Sequence, residues 1–235
     1  MKPSLLIAGN FLREQRWLTL LLVLYAVGGA ALFGYGEKQV MGEDVLFFLH
    51  QQSLYAVLFS VFLAASAIHN ERKSRRILAV LSKAVTRRQY LAGLLAGIVA
   101  VFGIYCLAIG LAGTWLVRSA RAHPAQLWML LGVTAAAALL VSALTLFFTT
   151  FLNPLFATAA TALAVGIPVV LEQGLGRGWG DILPVYTLAM QVSKATLAHS
   201  VTDWKPLAIA VLESAVLWAL ASWIFAGRDI TVAVE

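Results

Sequence analysis

A single acidic residue lies inside a long apolar stretch near the end of the chain. Glu213 is the one charged residue between Pro206 and Gly227. An ionised side chain in hydrocarbon is costly, so we expect it to face the interior of a helix bundle, a second subunit or water. Two interpretations stay open: a role in gating or in a polar substrate path, and a structural hydrogen bond to a neighbouring helix.

Three consecutive polar residues lie near one end of another apolar stretch. His50, Gln51 and Gln52 precede a clean apolar run that continues to Ile68. They are candidates for lining an outward-facing vestibule. The plainer interpretation is a polar cap at the membrane interface.

The sequence lacks the residue patterns of several enzyme and metal-site classes. Its four histidines and the lone Cys106 show no ligand spacing, so we expect no metal site. It contains no G-x-S-x-G or H-E-x-x-H, and no pair of carboxylates recurs within the apolar stretches. The phosphate-binding pattern G-x-x-x-x-G-K-[ST] is also absent. We therefore expect no catalytic site and no nucleotide or other cofactor bound by this chain.

The composition is that of a membrane protein. Of the 235 residues, 61% are hydrophobic and 12% are charged. A helix needs about 20 apolar residues to cross about 30 Å of hydrocarbon, and several uncharged runs reach that length without the alternation of barrel strands. We predict an all-α membrane protein, one transmembrane domain over 1–235, with six spans at about 17–36, 45–68, 89–117, 127–150, 155–171 and 206–227.

Short local signals define the elements around these spans. In "FLNPLF", Asn153 suits a helix cap and Pro154 the first position of a new helix, which predicts a tight turn between the fourth and fifth spans. Gly93 and Gly97 form a G-x-x-x-G pair that permits close helix packing. "PSLLIAGNFLREQRWL" predicts an amphipathic helix along the cytoplasmic interface. The segment 172–205 is expected outside the membrane on the opposite side.

The distribution of positive charge predicts the orientation of the chain. An even number of spans places both termini on one side, which holds eleven Lys and Arg against six on the other. The positive-inside rule makes the first side cytoplasmic. The net charge of +6 is thereby explained by topology and anionic lipid, without a nucleic-acid partner.

The stretch "ERKSRRILAVLSKAVTRRQY", residues 71–90, concentrates seven Lys and Arg between two spans. Apolar residues recur in it at helical spacing, which predicts a short amphipathic helix. Thr86 and Gln89 then form a capping box that begins the third span. The segment is either a topogenic loop on anionic lipid or a docking element for a cytoplasmic partner.

The segment also resembles the loop between the second and third spans of ABC-2 type transporter permeases. The matching features are Glu71 and "VLSKAVTRRQYLAG", while "RRIL" at 75–78 is most similar to the branch linked to maturation of multicopper enzymes. At the other end of the chain, "IFAGRDI" at 224–230 resembles the family's Phe-x-x-Arg-Asp ending.

The resemblance implies a coupling helix within 71–85 that docks on a separate ATP-binding cassette ATPase subunit, which would hold the ATP and Mg²⁺. It implies apolar contacts from Ile77, Leu81 and Val85, and pairing of Arg75, Arg76 and Arg87 with acids of that subunit. The full set of implied contact residues is Glu71, Arg75, Arg76, Ile77, Val80, Leu81, Val85 and Arg87.

The resemblance further implies a permease that exports an unidentified substrate, as a homodimer or with a related permease, in a bacterial cytoplasmic membrane. The alternative is a non-ATP-driven carrier, or a scaffold whose basic loop binds lipid or another partner. A carrier would be expected to show repeated halves with interrupted helices, and no such repeat is visible. A neighbouring reading frame for a soluble ATPase would discriminate between these alternatives.

Overall fold

The computed structural model describes residues 3–36, 42–73, 85–119, 124–175 and 205–227. Within these ranges the chain forms seven α-helices and no strand, which confirms the predicted all-α class. In chain order the helices are α1 (Pro3–Glu14), α2 (Arg16–Gly36), α3 (Gly42–Lys73), α4 (Arg87–Ser119), α5 (Pro124–Thr149), α6 (Pro154–Leu175) and α7 (Lys205–Gly227).

Five of the helices are long and apolar enough to cross a membrane, namely α2, α3, α4, α5 and α7. They correspond to five of the six predicted spans. The remaining predicted span, 155–171, falls on α6 (Pro154–Leu175), which is not one of these five helices. The multi-pass character is therefore confirmed, and the count of six spans stays a prediction.

Helix α4 is the centre of the described bundle. It packs against α1, α2, α3, α5 and α7, while α6 packs against α3 and α5. Its buried side chains, among them Leu94, Ile98 and Ile109, belong to the largest apolar cluster. An element in this position touches most of the helices that any movement of the bundle would involve.

The G-x-x-x-G pair at the start of α4 lies under α1. A Cβ atom at Gly93 would lie 2.7 Å from the Cβ of Ile7 and 2.9 Å from the backbone oxygen of Ser4, and one at Gly97 would lie 2.8 Å from Phe11. Only glycine leaves room for so close an approach. The expectation of tight packing is confirmed, and the helix that packs there is α1.

The apolar residues of α1 are divided between two surroundings. Ile7 and Phe11 are buried against α4, whereas Leu5 and Leu6 are 56% and 53% exposed. A helix lying along a membrane surface would bury such leucines in lipid. The predicted helix is present, and its position at the membrane interface stays a prediction.

The predicted turn between α5 and α6 is confirmed in detail. The backbone N–H of Phe156 donates to Asn153 Oδ1 at 3.0 Å, so Asn153 is the N-cap of α6. Pro154 is the first residue of α6, a position where a missing N–H costs nothing. Further along the hairpin, the Thr161 hydroxyl lies 3.1 Å from that of Thr145 and joins the two helices.

Candidate functional site

The segment 71–90 and the end of the last helix meet in the structure. Arg87 Nη1 donates to the backbone oxygens of Phe225 at 2.7 Å and of Ala226 at 3.0 Å. These oxygens belong to the last turn of α7, where carbonyl groups have no partner within the helix and the helix dipole is negative. A guanidinium group from α4 therefore caps α7 across 138 residues of sequence.

Aromatic packing completes this contact. The rings of Tyr90 and Phe225 are stacked with centroids 6.2 Å apart, and the Arg87 guanidinium lies 5.8 Å from the centre of the Phe225 ring. Tyr90 and Phe225 are both almost completely buried. We call the set Arg87, Tyr90, Phe225 and Ala226 the α4–α7 junction.

A capping box begins α4 immediately before the junction. The N–H of Gln89 donates to Thr86 Oγ1 at 3.3 Å, and the N–H of Thr86 donates to Gln89 Oε1 at 3.2 Å. The prediction from these two residue types is confirmed. The box defines the point at which segment 71–85 joins the central helix.

The structure describes only part of the implied ATPase contact. Glu71 is in the last turn of the α3 backbone, and Val85 is half-buried against the core of this chain. Arg87 belongs to the α4–α7 junction. The remaining residues lie outside the described residues: Arg75, Arg76, Ile77, Val80 and Leu81.

The three polar residues at the start of the second predicted span do not share one environment. Gln51 is exposed, with its amide nitrogen 3.3 Å from the Tyr55 hydroxyl, and His50 is half-buried. Gln52 is only 3% exposed and faces the interior of the bundle. Consecutive helix residues point about 100° apart, so three in a row cannot line one wall.

Gln52 is part of a buried polar layer that joins three helices. The Tyr105 hydroxyl of α4 lies 2.8 Å from Gln52 Oε1 and 3.1 Å from the Gln52 backbone oxygen. Next to it on α3, Ser53 Oγ is 3.0 Å from Thr134 Oγ1 of α5. All four side chains are buried.

Sequence reasoning did not find Tyr105 and Thr134. Each is a single polar residue in an apolar run, and no local pattern distinguishes it from a residue whose hydroxyl bonds to its own helix. Thr134 also donates to the backbone oxygen of Leu130 at 2.8 Å, as an isolated helix residue would.

Glu213 lies beside the buried face of α7. Its helix neighbours Ala210 and Ser214 are buried, and Ala210 packs with residues of α5. Glu213 is half-buried, and its Oε2 atom is inaccessible and has no hydrogen-bond partner among the residues that the structure describes. Glu213 therefore lies away from the α4–α7 junction. The described helices offer its Oε2 atom no hydrogen-bond donor.

No group of three or more His, Cys, Asp or Glu in the described ranges is arranged to hold a metal ion. Cys106 is a free thiol, half-buried in α4.

The α4–α7 junction and the start of α4 are thus the best-defined site in the described chain. No protein-family model matches the sequence, and no curated protein matches it.

Proposed function

We propose that this chain is the membrane-spanning subunit of an ATP-driven exporter, similar to ABC-2 type permeases, and that a separate ATPase subunit docks on segment 71–85. The observation that carries the proposal is the α4–α7 junction. Both stretches that resemble the family, "VLSKAVTRRQYLAG" and "IFAGRDI", contribute residues to it. Each motif is short and tolerates many residue types. Two such motifs that form one contact support the resemblance better than either motif alone.

The bundle suggests how a movement of the docked segment would reach the membrane helices. Segment 71–85 continues directly into α4, and α4 packs against five of the other six described helices. Arg87 and Tyr90 attach the first turn of α4 to the end of α7. ATP would change the arrangement of these helices only if the ATPase binds ATP more tightly in one arrangement than in the other.

We assign different roles to the basic residues of the segment. Arg87 holds the end of α7 and is a positioning residue. Arg75 and Arg76 are proposed to pair with acidic residues of the ATPase, beside an apolar contact made by Ile77 and Leu81. In this proposal ATP and Mg²⁺ belong to the partner.

The proposal includes further features taken from the resemblance. The permease would have six spans with both termini in the cytoplasm of a bacterium, and would work as a homodimer or with a related permease.

The test is copurification from the native membrane. The tagged protein is extracted in mild detergent, and ATP hydrolysis and the identity of associated subunits are measured in the eluate. We expect a copurifying ATPase that the Ile77→Asp/Leu81→Asp variant loses, because two carboxylates would be buried in the apolar contact. An eluate without ATPase activity under several gentle conditions would contradict the proposal and favour a carrier or a scaffold.

A further inference from the structure

One face of α1 and α2 points away from the bundle. Arg13, Trp17, Leu20 and Leu24 follow one another at spacings of four, three and four residues, which places them on one side of a helix. All four side chains are exposed, and so is Arg16, three residues after Arg13. We call these five residues the α1–α2 stripe.

The stripe is continuous although it crosses the boundary between the two helices. The N–H of Gln15 donates to the Phe11 backbone oxygen at 2.9 Å, and the N–H of Thr19 donates to the Gln15 backbone oxygen at 2.8 Å. Both bonds have the i to i−4 spacing of an α-helix, so the rotation of about 100° per residue continues across the boundary. On the opposite side, Phe11 and Leu22 are buried in the bundle.

The stripe lies across one end of a span. The part of α2 that is long and apolar enough to cross a membrane is Arg16–Tyr35. At a rise of about 1.5 Å per residue, Arg13 lies about 4.5 Å beyond this end and Leu20 about 6 Å inside it. The headgroup region adds roughly 5–7 Å to each side of the hydrocarbon. In a span with these bounds, Arg13 is level with lipid headgroups and Leu20 is level with acyl chains.

The two cations of the stripe are available to a ligand. The Arg16 guanidinium lies 5.5 Å from the centre of the Trp17 ring, a cation–π contact that limits where it points. No hydrogen bond or ion pair joins Arg13 or Arg16 to the residues that the structure describes. The adjacent acid, Glu14, points about 100° away from Arg13. Two guanidinium groups one helical turn apart suit the oxygens of a phosphate group.

The order of groups along the stripe matches that of a phospholipid. The arginines lie at the level of the phosphate, and the Trp17 indole follows at the interface, where tryptophan is enriched in membrane proteins. Leu20 and Leu24 then continue along the acyl chains. Two positive charges favour a lipid with a net negative charge over a zwitterionic lipid.

We propose that the α1–α2 stripe binds one anionic phospholipid, whose phosphate is held by Arg13 and Arg16. The inference goes beyond the proposed function and does not depend on which partner docks on segment 71–85. The lipid covers the outer side of the helical stretch whose inner side packs on Gly93 and Gly97 of α4. It thereby helps to hold α1 against the bundle.

Native mass spectrometry of the detergent-solubilised chain tests the site. The protein is titrated with phosphatidylglycerol, or with phosphatidylcholine that has the same acyl chains, and the Kd of the first bound lipid is measured. We expect phosphatidylglycerol to bind about tenfold more tightly or better, because only this lipid has a net negative charge. Equal affinity for the two lipids would overturn the proposal.

Removal of the two cations should weaken this binding. We expect Arg13→Gln/Arg16→Gln to raise the Kd for phosphatidylglycerol about fivefold for each arginine, the usual contribution of a basic residue at a membrane surface. Arg88→Gln/Arg118→Gln is the matched control, because it removes two exposed arginines of α4 and changes the net charge equally. Gel filtration verifies that each variant is folded. An equal loss of affinity in both double variants would show attraction to overall charge and contradict a site at the stripe.

Two further measurements identify the ligand. We expect phosphatidylglycerol to stay bound in an excess of inorganic phosphate, and Trp17→Ala to weaken its binding. Displacement by phosphate would show a site for the free ion, and full affinity in Trp17→Ala would show that charge alone is recognised; either result overturns the assignment to a lipid. If Arg13→Gln/Arg16→Gln binds lipid normally and loses a copurifying protein instead, the stripe belongs to a protein interface and the proposal fails.

Discussion

Arg87 has a structural role that cannot be recognised from its position in a cluster of basic residues. In sequence it is one of seven cations that are candidates for contact with lipid or a partner. In the structure its guanidinium donates hydrogen bonds to two backbone carbonyl groups at the end of α7 and lies near the Phe225 ring. The carbonyl groups at a helix C-terminus carry a partial negative charge, so a cation beside them is stabilising.

Replacement of Arg87 should therefore destabilise the protein. Hydrogen bonds that involve a charged group contribute about 1.5–3 kcal/mol, so we expect Arg87→Ala to lower the melting temperature of the detergent-solubilised protein. Arg87→Lys keeps the charge and one contact, and should have a smaller effect. The neighbouring exposed Arg88→Ala is the control, and an equal effect of both alanine variants would contradict the role of Arg87.

Glu213 offers a second prediction at the scale of a residue. A buried polar atom without a hydrogen bond costs about 1–3 kcal/mol, and Glu213 Oε2 is such an atom among the described helices. We expect Glu213→Leu to raise the melting temperature of the solubilised chain. A lower melting temperature would show that the carboxyl group makes a structural hydrogen bond, and would remove the argument for a role in gating.

At the scale of helices, two glycines decide how α1 is attached. Gly93 and Gly97 allow α1 to approach α4 so closely that the backbone of α1 itself limits the available space. The contact involves apolar residues on a helix whose outer face also exposes leucines. Attachment to α4 therefore leaves these leucines exposed.

Enlarging these glycines should detach α1. An added Cβ at Gly93 would lie 2.9 Å from the Ser4 backbone oxygen, and overpacking of this kind costs about 1–3 kcal/mol. We expect Gly93→Leu and Gly97→Leu to make α1 more accessible to trypsin at Arg13. Gly103→Ala lies on the same helix with nothing within 4 Å of the new Cβ, and should leave cleavage unchanged. Unaltered cleavage in all three variants would refute tight docking of α1.

The buried polar layer joins three helices at one depth. Tyr105 connects α4 to Gln52 of α3, and Thr134 connects α5 to Ser53 of α3. Hydrogen bonds between membrane helices contribute about 0.6 kcal/mol on average. The layer therefore sets the register of α3 against its neighbours more than it adds stability.

A double-mutant cycle measures this layer. We expect Tyr105→Phe and Gln52→Leu each to lower the stability of the solubilised protein by about 0.6–1.7 kcal/mol, with the double variant less destabilised than the sum of the two. Strict additivity of the unfolding free energies would show that the two side chains do not interact.

At the scale of the whole molecule, the central position of α4 explains how the proposed docking of a partner would act on the other helices. Helices α1, α2, α3, α5 and α7 all touch it, and the basic segment leads directly into it. A partner that displaces segment 71–85 would act on the best-connected helix of the described bundle. Docking of a partner on segment 71–85 can therefore be tested by measuring structural changes in helices that the partner does not touch.

The amino-acid sequence by itself determined the all-helical class, the membrane character, the capping box at Thr86 and the N-cap at Asn153. These features depend on residues a few positions apart, and their physical causes are local: apolar length, a side-chain acceptor for a backbone N–H, and a proline without a donor. Only the tertiary structure decided that Arg87 caps α7, that α1 covers Gly93, and that Tyr105 bonds to Gln52. Each of these contacts joins residues more than fifty positions apart, and such a pairing depends on how helices pack.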